Sequence, residues 1–146
     1  MKRILFTLLT LALVVSACVP KAVGPSGNTL QVTIGETQKT YTQDMLKALG
    51  DTQAAFKDVI YVGVPLTTLL SDAGIDPVGL SAVKAVAVDG FSANYDPALF
   101  NLPDTLVAYA RLDGPLAEDE APFRMVMPDQ EGKLNVRMLV EIVALP

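Results

Sequence analysis

The 146-residue chain has no histidine, and Cys18 is its only cysteine. Without imidazole, Ser-His-Asp and Cys-His nucleophile systems are excluded. Zinc, copper and haem sites of the usual kind lack their ligands as well. A single cysteine closes no disulfide within the chain, so packing alone must hold the fold. Positive charge is also scarce: 11 Lys and Arg stand against 16 Asp and Glu, a net of −5. With no basic stripe, nucleic acid and anionic lipid headgroups are poor partners. The apolar run 4–15 is interrupted by Thr7 and Thr10. It falls short of the roughly 20 apolar residues that cross a bilayer.

What is present begins with an address. Met1-Lys2-Arg3, the apolar run and the small pair Ser16-Ala17 read as a secretory signal peptide. Small residues directly before Cys18 resemble the lipobox of bacterial lipoproteins. That resemblance implies cleavage ahead of Cys18 and a diacylglycerol on its sulfur. Covalent chains then hold the protein at a membrane, since each buried methylene adds about 0.8 kcal/mol. The expected organisation is a signal peptide over 1–17, lipidated cysteine and flexible tether over 18–28, and one domain over 29–146. Pro20, Gly24, Pro25, Ser26 and Gly27 give the tether its flexibility. Loss of Lys2 and Arg3 leaves nine basic residues and a net charge of −7. The expected location is extracytoplasmic. Val19, rather than an aspartate, after the cysteine points to the outer membrane or cell surface.

Along the domain, Leu30, Val32 and Ile34 alternate with Gln31 and Thr33, which predicts a half-buried strand. Gly35-Glu36 turns the chain into a return strand over 39–41. Thr42 is the expected N-cap of a helix carrying Met45, Leu46 and Leu49, stopped by Gly50. An extended stretch over 54–62 leads to a second helix with Pro65 in its first position. Its apolar face is Leu66, Leu69 and Leu70, and Gly74 takes the left-handed end. Further strands are predicted over 82–88, 105–111, 123–127 and 135–145. Many strands with a few short helices make a mixed, mostly β, α+β domain.

Four pieces in order, "YVGVPLTTLLSDAG", "VKAVAVDGFSANY", "LVAYARLDGPL" and "APFRMVMPDQEGKLNVRMLVEIVAL", resemble the sulfite-oxidase-like, oxidoreductase molybdopterin-binding domain. The resemblance runs from about Gly35 to Leu145 and implies that family's α+β fold. In the family's enzymes a cysteine thiolate binds molybdenum; here the only cysteine is the expected lipid anchor. The histidine that accompanies the cofactor phosphate is replaced by "AEDEAPFR". Two matched cations remain. Arg124 stands where the family has a pterin-phosphate arginine. Arg137 stands where it usually has a lysine, ahead of a tryptophan replaced by Met138. Molybdopterin is implied by resemblance only, and the missing ligands lead to the expectation of no cofactor.

Arg124 suits a carboxylate or phosphate through its planar guanidinium; alternatively it is a structural ion pair with an acid such as Asp89 or Asp113. Arg137, between Val136 and Met138, reads either as a ligand contact or as a solvated strand face. Asp89, Ser92, Asn94 and Tyr95 form a polar D-G loop that resembles a ligand loop or is simply a tight turn. Tyr61 would line the same cleft or serve as an amphipathic core tyrosine. The acids of "EDE" at 118–120 and "DQEG" at 129–132 lack EF-hand spacing and read as solvated loops. The resulting expectation is a lipid-anchored, non-catalytic binding module. It would bind a small anionic ligand or a partner protein through Arg124, Arg137, Asp89, Ser92, Tyr95 and Tyr61. The alternative is a molybdopterin- or other cofactor-dependent oxidoreductase, or its accessory subunit.

Overall fold

The alternation of Leu30 and Val32 is realised in strand β1 (Thr29–Ile34), which buries both. The structure, a computed structural model, describes residues 28–146. The signal peptide, Cys18 and nearly all of the tether lie outside the described residues. A turn with Gly35 in the left-handed region leads into β2 (Thr37–Thr42). Thr42 caps α1 (Gln43–Leu49), accepting from the Met45 N–H at 3.3 Å. Leu46 is the buried residue of this helix, and Met45 faces solvent. The expected apolar face is thus narrower, as befits a helix of two turns.

The stretch over 54–62 is not one strand. It is a hairpin of β3 (Thr52–Phe56) and β4 (Val59–Pro65), turned at Lys57-Asp58 with Lys57 at φ 54°. Left-handed lysine is uncommon, so composition gives no turn signal. Pro65 is the N-cap of α2 (Leu66–Asp72) rather than its first helical residue, and Leu66, Leu69 and Leu70 are buried. Gly74 takes φ 80°, as expected of a helix end.

The second half supplies β5 (Ala82–Ala87), β6 (Ser92–Tyr95), the short helix α3 (Pro97–Phe100) and β7 (Leu106–Arg111). Then come the two-residue β8 (Gly114–Pro115), β9 (Arg124–Val126) and β10 (Leu139–Leu145). The last strand is shorter than expected. Met138 adopts φ 52°, which breaks the extended run and leaves Val136 and Arg137 in a loop.

One sheet has the order β2-β1-β10-β5-β6, with β1 and β10 parallel and the other pairs antiparallel. The other has the order β3-β4-β7-β8, and β9 also pairs with β7. A large buried cluster joins one face of each sheet to the helices, through Val32, Ile142, Val107, Met125, Leu69 and Phe100. A smaller cluster covers the other face of the second sheet, with Ala54, Tyr61, Leu106, Ala108 and Val126. Alternation along β7 sends Leu106 and Val107 to these opposite clusters. The observed fold is the mixed, mostly β, α+β architecture.

Candidate functional site

Three strands place the polar centre of the smaller cluster. The β4–β7 ladder shifts register between Val62 and Gly63, which pair with Ala110 and Ala108 respectively. This bulge puts one extra residue, Tyr109, into β7 and re-aims the side chains beyond it. Arg111 therefore lies opposite Tyr61, on the face that Ala108 also occupies. Arg124 opens β9 opposite Ala108 and reaches the same face.

Glu120 arrives from a tight turn, its N–H donating to the Ala117 carbonyl at 2.9 Å. Its own carbonyl accepts from the Met138 N–H at 3.0 Å. On Oε1 the carboxylate accepts from the Tyr61 hydroxyl at 2.7 Å and from Arg124 Nη1 at 2.5 Å. On Oε2 it accepts from Arg111 Nε at 2.9 Å and Nη2 at 2.8 Å, and from the Ala117 N–H at 3.1 Å. Arg124 Nη1 also donates to the Tyr61 hydroxyl at 2.7 Å, and its Cζ lies 4.5 Å from the Tyr61 ring centre. Hydrogen bonds to an ionised acceptor are the strong ones, and every bond this carboxylate receives is of that kind.

Burial alone pushes the Glu120 carboxyl up. The hydrogen bonds from Tyr61, Ala117 and Arg111 and the charge of Arg124 outweigh it, and the group sits below its usual range. The Tyr61 hydroxyl is pushed up, first by burial and then by its bond to the Glu120 carboxylate, with Arg124 and Arg111 opposing. Tyr61 therefore stays protonated as the donor.

Above this buried centre runs a groove with two lobes, sharing Gly132, Asn135 and Arg137. The lobe of about 430 Å³ is lined by Lys57, Tyr61, Arg111, Arg124 and Arg137. The lobe of about 410 Å³ is lined by Asp89, Phe91, Asp119, Lys133, Arg137 and Met138. Asn135 anchors the floor: its Oδ1 accepts from the Met127 N–H at 2.7 Å, and its Nδ2 donates to the carbonyls of Met127 and Glu131. Arg137 is on the rim, its side chain 58 % exposed and paired with Asp119, itself 66 % exposed. All three arginines of residues 28–146 thus converge on one groove of an acidic chain.

The residues read from the sequence separate into two sets. Tyr61, Arg124, Arg137 and Asp89 line the groove. Ser92 is exposed on the edge strand β6 and lines neither lobe. Tyr95 is buried, and its hydroxyl donates to the Leu134 carbonyl at 2.8 Å, which makes it a core tyrosine beneath the floor. The acid expected opposite Arg124, Asp89 or Asp113, is instead Glu120. Asp89 turns its Oδ1 to the Phe91 N–H at 2.9 Å, closing the D-G turn locally. The "EDE" triplet is not merely solvated, because Asp119 and Glu120 together hold all three arginines. Arg137 lies in a loop, not on a strand face, because Met138 breaks the strand behind it. Glu120, Arg111, Lys57 and Asp119 are not legible as site residues in the sequence. The one signal it offers is arithmetic: buried or half-buried arginines require carboxylates, and the nearest run of acids is 118–120.

The family model for the oxidoreductase molybdopterin binding domain matches residues 28–146. Among solved structures, the chain is similar to the sulfane dehydrogenase SoxCD from Paracoccus pantotrophus, at 21 % identity and a TM-score of 0.64. That likeness takes in 85 % of this chain and 40 % of the other, so the chain spans less than half of it. At that identity the likeness concerns the fold. No curated protein matches the chain.

The residues present do not fit a molybdenum cofactor. The only thiol is Cys18, outside the described residues, and no imidazole exists in the chain. Among the described residues, no group of three or more Cys, Asp or Glu is placed to hold a metal ion. The arginine that would meet a pterin phosphate is 3 % exposed and already bonded to Glu120. A phosphate approaching there meets a carboxylate.

Proposed function

Because the chain belongs to the oxidoreductase molybdopterin-binding domain family and yet holds the arginines of its groove on its own acids, we propose that it is a non-catalytic binding module. Lipid on Cys18 would anchor it outside the cytoplasm, at the outer membrane or cell surface, and the groove would take a small anionic ligand. The observation that carries this reading is the convergence of cations. Lys57, Arg111, Arg124, Lys133 and Arg137 line the two lobes, against Asp89, Asp119 and Glu120. A cleft with an excess of one sign focuses field and concentrates its counter-ion.

The tiers of cation have different tasks. Arg124 and Arg111 are committed to Glu120. Arg137 has only an exposed partner, and such pairs contribute about 0–1 kcal/mol, so an incoming anion displaces Asp119 at little cost. Lys57 lies 5.5 Å from the Phe56 ring and has no carboxylate partner among the described residues. Arg137 and Lys57 are therefore the ligand's contacts.

Titration calorimetry of the mature domain with inorganic phosphate, sulfate and succinate tests this. At least one should bind, and Arg137→Ala and Lys57→Ala should each weaken it about tenfold, or about 1.4 kcal/mol, with melting temperature unchanged. Indifference to all three anions overturns the proposal. The oxidoreductase alternative, or an accessory subunit of one, rests on the family match. Stoichiometric molybdenum in protein from a molybdenum-competent host would establish it instead.

A further inference from the structure

We infer that the cluster around Glu120 is an oxyanion-binding site filled from within: the carboxylate of Glu120 takes the place of an external anion, and its removal opens a receptor for a small carboxylate such as acetate. Three features of the cluster distinguish it from an ordinary ion pair.

The first is the number of donors. Five bonds end on one carboxylate, from Tyr61 on β4, Arg111 on β7, the Ala117 amide and Arg124 on β9. A simple salt bridge between two side chains recruits neither a backbone amide nor a phenol. The second is charge. Two guanidinium groups face a single buried carboxylate, with the exposed Asp113 also acting on Arg111 from outside. The third is preorganisation. β4, β7 and β9 are hydrogen-bonded neighbours, and the β7 bulge alone brings Arg111 onto the face of Tyr61. The Tyr61, Arg111 and Arg124 donors are thus carried by the sheet, while the Ala117 amide belongs to the turn that carries Glu120. Arg111 meets Oε2 through both Nε and Nη2, while Arg124 and Tyr61 take Oε1, so both oxygens of the carboxylate are held.

Glu120 itself is carried by a turn outside the sheet, on a backbone held by Ala117 and Met138. Truncating it removes the anion and leaves the receptor. The inference does not depend on the ligand proposed for the outer groove, whose contacts are Arg137 and Lys57.

The test is thermal melting of Glu120→Ala in acetate against chloride at equal ionic strength. The variant should melt well below the parent in chloride. It should recover with acetate, the gain rising with the logarithm of concentration once the site is half filled. The parent chain, whose inner site is filled by Glu120, should gain far less from acetate than the variant does. The double variant Glu120→Ala/Arg124→Ala should lose the preference for acetate. If Glu120→Ala does not fold in chloride, recovery of its circular dichroism in acetate is the same readout. Equal behaviour in both salts, whether folded in both or unfolded in both, overturns the inference.

Discussion

Removing Arg124 alone leaves Glu120 buried with one cation fewer, and removing Glu120 alone leaves a buried guanidinium with no carboxylate. Breaking a buried pair in this way costs about 3–5 kcal/mol. Arg124→Ala is therefore expected to lose stability on that order. Arg124→Ala/Glu120→Ala should lose clearly less than the sum of the singles, because the two act as one unit. Urea denaturation of the three variants measures this, and additive losses would show that no unit exists. The same carboxylate sets an acid limb. Its pKa is lowered on folding from an ordinary 4.5, so its contribution is complete above that value and is lost as pH falls through the folded one. The urea midpoint should hold steady near neutrality and fall below about pH 4.5, and Glu120→Gln should remove part of the fall. Asp72, whose carboxyl is held low by hydrogen bonds from Lys39 and Tyr41, contributes to what remains. None of this is legible in residues 118–120 themselves. Glu120 finds Arg111 nine positions away and Tyr61 fifty-nine positions away, distances that only the folded sheet closes.

Gly63 decides whether strands β4 and β7 can meet. A Cβ there would lie 2.3 Å from the Val107 carbonyl oxygen and 2.7 Å from the Ala108 Cα. Both are backbone atoms with no rotamer to yield. Gly63→Ala should therefore cost about 1–3 kcal/mol by overpacking and disturb the bulge that aims Arg111 at Glu120. A chemical-denaturation midpoint unchanged from the parent would refute this. Elements are legible in the sequence where their signal is local. Thr42 caps α1, Leu66, Leu69 and Leu70 face the core from α2, and Gly74 ends it. They are hidden where backbone conformation defies residue type. Lys57 and Met138 are left-handed without being glycine, and each conceals a chain reversal or break inside what looks like a continuous strand. Such positions often mark functional sites, and these two both line the groove.

At the scale of the whole molecule, the first prediction concerns the membrane. Cys18→Ser should abolish labelling by radioactive palmitate and leave the precursor uncleaved or the domain free in the soluble fraction. A variant that is cleaved and still fractionates with membranes like the parent, without lipid, would exclude the anchor. The strand order of the first sheet has a consequence in time rather than in space. β10 is its central strand, flanked by the hairpin β2-β1 on one side and β5-β6 on the other. Until residues 139–145 leave the ribosome, the two hairpins have no ladder between them, and Val32 and Ala85 lack the partner Ile142. Pairing between strands so far apart in the chain is slow. The first sheet therefore closes only when β10 slots between two hairpins, each of which can form before it exists.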